Sequence, residues 1–344
     1  MDTSVEKEDM EYILGCDCIP WKSFENTNIF VTGATGLIGS LLVKTLINAN
    51  KRFSLNMKIY CLVRDENKAK ALFGETNDVV RYVIGTLEAF EFSDVHFDYI
   101  IHGASPTASQ FLVQNPVETI ESVVLGTRTL LKRAVEDKVS GFLFLSSMEA
   151  YGVIHDDRVL TEDQLGHVDL SNVRSCYPEA KRLCELLCYS YSTEYDIRTM
   201  SLRLAQTFGP GIPSSDKRVF AMMANCAREG KDIVLLTKGN GRHPYLYSAQ
   251  AVTAILCVLL KGEKGETYNA ANPDTYCSIY EMGKMVADTI ADGKISVRIE
   301  ESDANRKYPP ASCLNLSIDK ITKLGWKPQG TLADMYKRMI AVMR

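Results

Sequence analysis

Residues 28–48 read as a strand, Asn28-Ile-Phe-Val31, that runs straight into Thr32-Gly-Ala-Thr-Gly-Leu-Ile-Gly39 and then into an amphipathic helix from Ser40 to Asn48. No other stretch restricts the fold as much. Glycines at 33, 36 and 39 allow a tight turn and a close approach of backbone to a ligand. The strand before them and the helix after them make that ligand an anion, because a helix start presents free N–H groups and the positive end of its dipole. A dinucleotide pyrophosphate suits this placement.

Further strands follow at Lys58–Val63, Val80–Ile84, Phe97–Ile101, Gly141–Leu145 and Arg198–Leu204, with helices between them at 117–136 and from Pro178 onward. Strands alternating with helices predict a Rossmann-type α/β fold, a doubly wound parallel sheet covered on both faces. Ligands of such sheets lie beyond the carboxyl ends of the strands, where Gly33–Gly39, Ala104–Thr107 and Ser146–Glu149 all fall. The second strand ends at Arg64-Asp65. An acid there binds the two ribose hydroxyls of NAD, whereas an arginine suits the 2′-phosphate of NADP. Both residue types are present, and Arg64 coming first leans toward NADP.

Past residue 208 the pattern loosens into helices near 218–229, 249–260 and 278–290, short strands at 233–236, 267–270 and 295–299, a turn at Lys238–Gly241 and a closing unit at 318–326. These predict a smaller, discontinuous α+β substrate lobe. The domain boundaries are an N-terminal arm at 1–27, a dinucleotide domain at 28–208 with returning segments near 242–271, and the substrate lobe at 209–241 and 272–344. The cleft between lobes is the expected substrate site. A net charge of −4 and a pI near 5.8 give no basic surface for nucleic acid or anionic lipid. The acidic N-terminus is unlike a secretory signal, and the longest apolar run, 251–260, is half of what spans a bilayer, so the expected compartment is the cytoplasm. The ten cysteines are scattered and mostly sit in apolar segments. Cys16 and Cys18 are too close for a zinc-ribbon pair, so no metal is expected and buried thiols are the default.

Tyr177-Pro-Glu-Ala-Lys181 opens a helix, since proline suits a first turn and the residues after it propagate one. Four residues is about one turn, which puts the phenol and the ammonium on one face. A free tyrosine has a pKa of about 10; a fixed cation nearby favours its phenolate and makes it a proton shuttle. Taken alone, such pairs also arise by chance on helices.

Glycine triplet, strand-end serine, Tyr177 and Lys181 in that order resemble the short-chain dehydrogenase/reductase superfamily, and the length resembles its extended branch. Closer phrases resemble nucleotide-sugar enzymes of the NAD-dependent epimerase/dehydratase family, above all UDP-glucuronate decarboxylase and its dehydratase relatives. These are His102-Gly-Ala-Ser-Pro106, Asn115-Pro-Val-Glu-Thr119, Gly126-Thr127, Ser147-Met-Glu-Ala-Tyr-Gly152, Gly166-His-Val168, Cys176-Tyr-Pro-Glu-Ala-Lys-Arg182, Thr207-Phe-Gly-Pro210, Arg218-Val219 and Leu324-Gly-Trp-Lys-Pro328.

The resemblance implies that Tyr177 takes a proton from a sugar hydroxyl while its carbon yields hydride to NAD or NADP. Lys181 then binds the nicotinamide ribose and lowers the tyrosine pKa, Ser147 hydrogen-bonds the reacting oxygen, and Glu149 is a second acid/base. A transient C4 ketone acidifies the C5 hydrogen and makes a C5 carboxylate easy to lose. Around the cofactor it places Gly33, Thr35, Gly36, Leu37, Ile38, Gly39, Arg64, Thr86, Leu87, Ala104 and Ser105. Around a nucleotide-diphosphate sugar it places Pro106, Thr107, Met148, Gln206, Arg218, Val219 and Arg242, the arginines offering a fork to a diphosphate or carboxylate. It also implies a homodimer built on the helices Val117–Glu136 and Tyr177–Glu194.

The departures are as informative. Met148 stands where dehydratases carry an aspartate, Thr86 where an adenine-contacting acid is usual, Val123 and Gln206 at asparagine positions, and Gln250 at an aspartate position. Three readings follow: modification of a nucleotide-activated sugar through C4 oxidation, reduction of a nucleotide-linked keto or aldehyde substrate by NADPH, and a cofactor-binding regulator without catalysis.

Overall fold

Short apolar runs bounded by turn residues form one parallel sheet. The structure, a computed structural model, describes residues 3–92, 94–301 and 311–343, so residues 302–310 of the expected substrate lobe lie outside the described residues. The first strands are β1 (Asn28–Thr32), β2 (Lys58–Val63), β3 (Val80–Ile84), β4 (Tyr99–His102) and β5 (Gly141–Ser147). Next come β6 (Val159–Leu160), β7 (Thr199–Leu204), β8 (Gln206–Phe208), β9 (Ile233–Leu235) and β10 (Arg242–Tyr247). The last are β11 (Thr267–Ala270), β12 (Asn272–Ser278), β13 (Val297–Ile299) and β14 (Asn315–Leu316). Seven of them pair in the order β11-β7-β5-β4-β1-β2-β3, every pair parallel. This is the doubly wound Rossmann-type sheet that the strand–helix alternation predicts.

The helices are α1 (Thr3–Leu14), α2 (Leu37–Phe53), α3 (Glu66–Phe73), α4 (Ser109–Gln114), α5 (Pro116–Glu136) and α6 (Cys176–Glu194). They continue with α7 (Val219–Glu229), α8 (Ser248–Lys261), α9 (Ile279–Met285), α10 (Asp319–Thr322) and α11 (Leu332–Val342). Alternate residues of β1 show how two layers cover the sheet. Ile29 and Val31 join a core with Leu42 and Leu46 of α2 and Val252 and Ile255 of α8. Phe30 joins a second core with Leu130 of α5 and Cys184 of α6 on the opposite face. The segment before β1 packs onto the first layer: Trp21 and Phe24 are buried, and the Trp21 indole N–H donates to the Leu14 carbonyl at 3.1 Å.

Three differences from the sequence reading stand out. A second sheet, β12-β10-β8, forms from segments that carry no clear strand pattern. Arg242-His-Pro-Tyr-Leu-Tyr holds a proline, and its register with β12 slips between His243 and Tyr245, as a residue without an N–H requires. The helix expected over 278–290 is α-helical only through Met285 and widens into a π turn over Val286–Ile290. A final helix, α11, follows the closing unit, started by a reciprocal cap between Thr331 and Asp334.

At the end of β4, His102 is buried in a chain of hydrogen bonds whose directions are all fixed. The Thr127 hydroxyl donates to the Val123 carbonyl at 2.6 Å, so it accepts from His102 Nε2 at 3.0 Å. Nδ1 therefore accepts from the Thr32 hydroxyl at 2.8 Å, whose oxygen accepts the Ala104 N–H at 3.1 Å. One neutral imidazole thus ties the β4 loop to β1 and to α5. Burial, with the Lys181 charge adding to it, pushes its pKa down to about 3. Unfolded, the same ring titrates near about 6.5. Between those values the unfolded chain binds a proton that the native ring refuses. Stability from this residue is therefore full above about pH 6.5 and falls on acidification by up to about 1.4 kcal/mol per pH unit. In urea denaturation at a series of pH values, His102→Gln is expected to lose stability between pH 6.5 and 4 less steeply than the wild type; equal slopes would refute this account of His102.

Candidate active site

The turn after β1 is packed backbone against backbone. Gly33 has φ +72°, and a Cβ there would lie 2.7 Å from the Gly103 carbonyl carbon. A Cβ on Gly39 would lie 2.0 Å from the Gly33 carbonyl oxygen. Glycine is required at both, because no rotation of a side chain relieves a clash of Cβ with main chain. Gly36 caps α2 in extended conformation, leaving Thr35, Leu37 and Ile38 on the rim of the turn and the first N–H groups of α2 unpaired within the helix. This cradle, backed by Gly103 and Ala104 of the next strand's loop, fits a dinucleotide pyrophosphate.

At the end of β2 the two candidate ribose readers have separate surroundings. Arg64 and Asp65 are both exposed, and the Asp65 carboxylate also caps α3, accepting the Lys68 N–H at 3.0 Å. After β3, Thr86 is exposed in a turn closed by reciprocal backbone bonds with Ala89 at 3.2 Å. Leu87 is buried against Gly126 of α5, where a Cβ would come within 2.9 Å of its own. Leu87 therefore has backbone rather than side chain to offer a cofactor. In the loop after β4, Ser105 and Pro106 are half-buried and Thr107 is exposed.

Ser147, Glu149, Tyr177 and Lys181 come together where β5 ends and α6 begins. Ser147 closes β5 and caps a 3-10 turn over Met148–Tyr151 by accepting the Glu149 N–H at 3.2 Å. Its side chain faces the Tyr177 phenol and favours its ionised form. The Lys181 ammonium lies 5.6 Å from the Tyr177 ring centroid and 4.6 Å from that of Phe144, and donates to the Leu145 carbonyl at 2.8 Å. Its burial pulls its pKa down to about 8. Met148 is buried at this turn, an apolar side chain in place of an acid.

The charges around the phenol include one that the sequence reading passed over. Burial pushes the Tyr177 pKa well above that of free tyrosine, and the Glu149 carboxylate pushes the same way. Ser147 and Arg174 oppose them. Arg174 is a second cation beside the phenol: its guanidinium lies 5.5 Å from the Tyr177 ring centroid and grips both Glu149 oxygens at 2.7 and 2.9 Å. Its Nη1 is buried without a hydrogen-bond partner. Sequence reading passed over Arg174; the available signal was its place one turn before Tyr177, as Lys181 stands one turn after.

Second contacts hold this cluster rigid. Arg182 of α6 donates to the Ala150 carbonyl at 2.6 Å and the Gly166 carbonyl at 2.8 Å, tying α6 to the 3-10 turn and the loop beyond it. Ser146 donates to Glu185 of α6 at 2.5 Å, and Glu185 pairs with Arg203 of β7 at 2.7 Å, both nearly buried. A buried pair costs desolvation but leaves little geometric freedom. The ends of β5 and β7 and the reactive face of α6 are thereby fixed to one another.

The remaining candidate substrate residues lie on β8, at the start of α7 and on β10. Gln206 lies on β8 beside Tyr245 of β10. Arg218 precedes Val219 at the start of α7 and is exposed, paired with Asp216 at 2.6 Å. Arg242 pairs with Glu281 at 3.0 Å, and its Nε is buried without a hydrogen-bond partner. It lines a cavity of about 670 Å³ together with Lys238, Asn240, Tyr280 and Glu301. Among the described residues no group of His, Cys, Asp and Glu is arranged to hold a metal ion, and no helix is long and apolar enough to cross a membrane.

Residues 29–271 match the family model described as the NAD dependent epimerase/dehydratase family. UDP-glucuronic acid decarboxylase 6 of Arabidopsis thaliana is 29% identical over 313 residues, covering 90% of this chain and 86% of its own. The dTDP-glucose 4,6-dehydratase DesIV of Streptomyces venezuelae, solved with NAD and TYD bound, superposes with a TM-score of 0.76 at 22% identity, over 92% of this chain and 96% of its own. UDP-glucose 4-epimerase of Thermotoga maritima, solved with UDP-glucose, gives 0.74 at 20% identity, over 92% and 98%.

Proposed function

This chain belongs to the NAD dependent epimerase/dehydratase family, and from that premise we propose that it modifies a nucleotide-activated sugar by oxidising the C4 hydroxyl to a transient ketone. The observation that carries the reading is the buried Tyr177 phenol facing Ser147 and Glu149 at the carboxyl end of β5, beside a glycine cradle that fits a dinucleotide. The nicotinamide, when bound, supplies the hydride acceptor. Tyr177 takes the hydroxyl proton as general base, and Ser147 holds the reacting oxygen. Arg174 supports the negative charge on the phenol, while Lys181, anchored on the Leu145 carbonyl, would hold the nicotinamide ribose. Glu149, gripped by Arg174, is the second proton carrier and acts on the ketone stage. Arg242 and Arg218 offer forks to the nucleotide diphosphate or a sugar carboxylate. Met148 leaves no acid to protonate a departing C6 hydroxyl, which favours proton transfer or loss of carbon dioxide at C5 over 4,6-dehydration. The similarity to the UDP-glucuronic acid decarboxylase of Arabidopsis thaliana supports the same choice.

A second reading has its own observation. Arg64 and Asp65 are both exposed, but the Asp65 carboxylate is engaged in capping α3, which leaves Arg64 to suit the 2′-phosphate of NADP and hence an NADPH-dependent reductase of a nucleotide-linked keto or aldehyde substrate. The nucleotide that copurifies separates the two, because an internal redox cycle keeps NAD+ bound whereas a reductase exchanges NADPH. Tyr177→Phe is expected to retain that nucleotide, identified by mass, and to lose turnover of nucleotide sugars by about 10²-fold or more. Full turnover in the variant would discard Tyr177 as the general base, whereas a wild type that binds the nucleotide and turns over no nucleotide sugar would leave a cofactor-binding regulator.

We also infer that two copies pair through α5 and α6. Val117, Ile120, Leu183, Leu186 and Tyr189 of these helices are all exposed, and a run of large apolar side chains on adjacent helices marks an interaction face. Sedimentation is expected to give a dimer for the wild type and a monomer for Leu186→Glu with Tyr189→Glu; a monomeric wild type would rule the pairing out.

A further inference from the structure

The N-terminal arm carries a Cys-Asp-Cys turn that the catalytic reading does not use, and the matched family model begins only after it, at residue 29. Behind α1 the chain folds back on itself: the Ile19 N–H donates to the Cys16 carbonyl at 3.1 Å. This turn puts both side chains on one side, with Cys16 Sγ 3.0 Å from Cys18 Sγ. Cys16 is half-buried and Cys18 buried, so the pair has one accessible member and one sheltered one. Behind Cys18 lies a third thiol, Cys257 of α8, fully buried. The neighbouring Cys18 thiol and burial push the Cys16 thiol above the ordinary value, and Cys18 is raised as well, so thiol–disulfide exchange at this pair is favoured by alkaline pH. Cys257 is held below the ordinary value by Cys18, with the Lys261 ammonium one turn along α8 adding to this. Lys261 is itself anchored on the Leu324 carbonyl at 3.2 Å.

We propose that Cys16 and Cys18 are a redox modification site, closing to an intramolecular disulfide by exchange with low-molecular-weight disulfides such as glutathione disulfide. The Cys16 sulfur, the accessible member, loses its proton and attacks one sulfur of the reagent. The reagent's S–S bond breaks, and one glutathione leaves and takes up that proton. The Cys18 sulfur then attacks Cys16 in the mixed disulfide and releases the second glutathione, which takes the second proton. The protein pair gives up two electrons and two protons, and the reagent becomes two thiols. The bridge spans a single intervening residue, Asp17. It therefore removes little chain entropy from the unfolded state and contributes little to stability. That makes it reversible rather than structural. Cys257 stays outside it, because no reagent reaches it through the α8 core. A metal centre is the competing use of such thiols, and among the described residues no group is arranged for one.

The test uses the full chain, reduced, freed of reductant and then incubated with glutathione disulfide. Remaining thiols are alkylated with N-ethylmaleimide after unfolding, and peptides are mapped by mass. The peptide bearing Cys16 and Cys18 is expected to be unlabelled and lighter by two hydrogens, to regain both on treatment with dithiothreitol, and to show no bridge in Cys16→Ser or Cys18→Ala. Cys257→Ala should form the bridge as the wild type does. In a measurement that needs no variant, the reduced wild type should retain one equivalent of phenylarsine oxide, which bonds two neighbouring sulfurs at once, at this same peptide. A lasting glutathione adduct on Cys16 without a bridge, a Cys18–Cys257 bridge, or arsenical captured elsewhere would each overturn the proposal.

Discussion

A phenol shut away from water resists ionisation, and everything at the reactive end of this fold bears on that resistance. Burial raises the Tyr177 pKa, and the Glu149 carboxylate raises it further. The structure answers with the Ser147 side chain and a guanidinium laid over the ring. Arg174 does two things with one charge. It lowers the cost of a phenolate, and by gripping both oxygens of Glu149 it offsets the repulsion that this carboxylate would otherwise exert. The reactive phenol and the second proton carrier are thus set by a shared cation, so a change at either is felt by the other.

That cluster works only if three elements keep their places, and the fold supplies this with main-chain anchors. Arg182 fastens α6 to the turn that carries Glu149, Glu185 fastens α6 to Ser146 and Arg203, and Lys181 holds the β5 carbonyl of Leu145. On the cofactor side, Gly33 and Gly39 let the turn, the helix start and the β4 loop touch backbone to backbone, while His102 pins Ala104 to β1 and α5. Rigid elements, not loops, carry the groups that need accurate placement.

The sheet was readable from sequence because most of its strands are short, largely apolar runs bounded by turn residues, the expected signature of strands covered on both faces. The second sheet was not, since Pro244 and Pro273 sit inside β10 and β12 and their polar, irregular register resembles loop. Residue types at the site were legible, as Tyr177, Lys181, Ser147 and Glu149 do converge near the end of β5. The full set of charges was not. One helical turn of spacing brings Lys181 within 5.6 Å of the Tyr177 ring, but it does not show that the same ammonium also donates to the Leu145 carbonyl and lies over Phe144. Arg174 lies in a 3-10 turn before α6, where spacing alone does not say which way a long side chain folds.

The most direct measurement is the pH dependence of the first oxidation step, followed by nicotinamide absorbance in single turnovers on the nucleotide sugar that the wild type oxidises. With a shared cation in control, the alkaline-going limb moves to higher pH in Arg174→Gln, which loses the cation and leaves Glu149 uncompensated, and to lower pH in Glu149→Gln, which removes the repelling charge. Identical limbs in all three proteins, or movement of both variants in the same direction, would contradict the claim that Arg174 and Glu149 jointly set the charge of Tyr177.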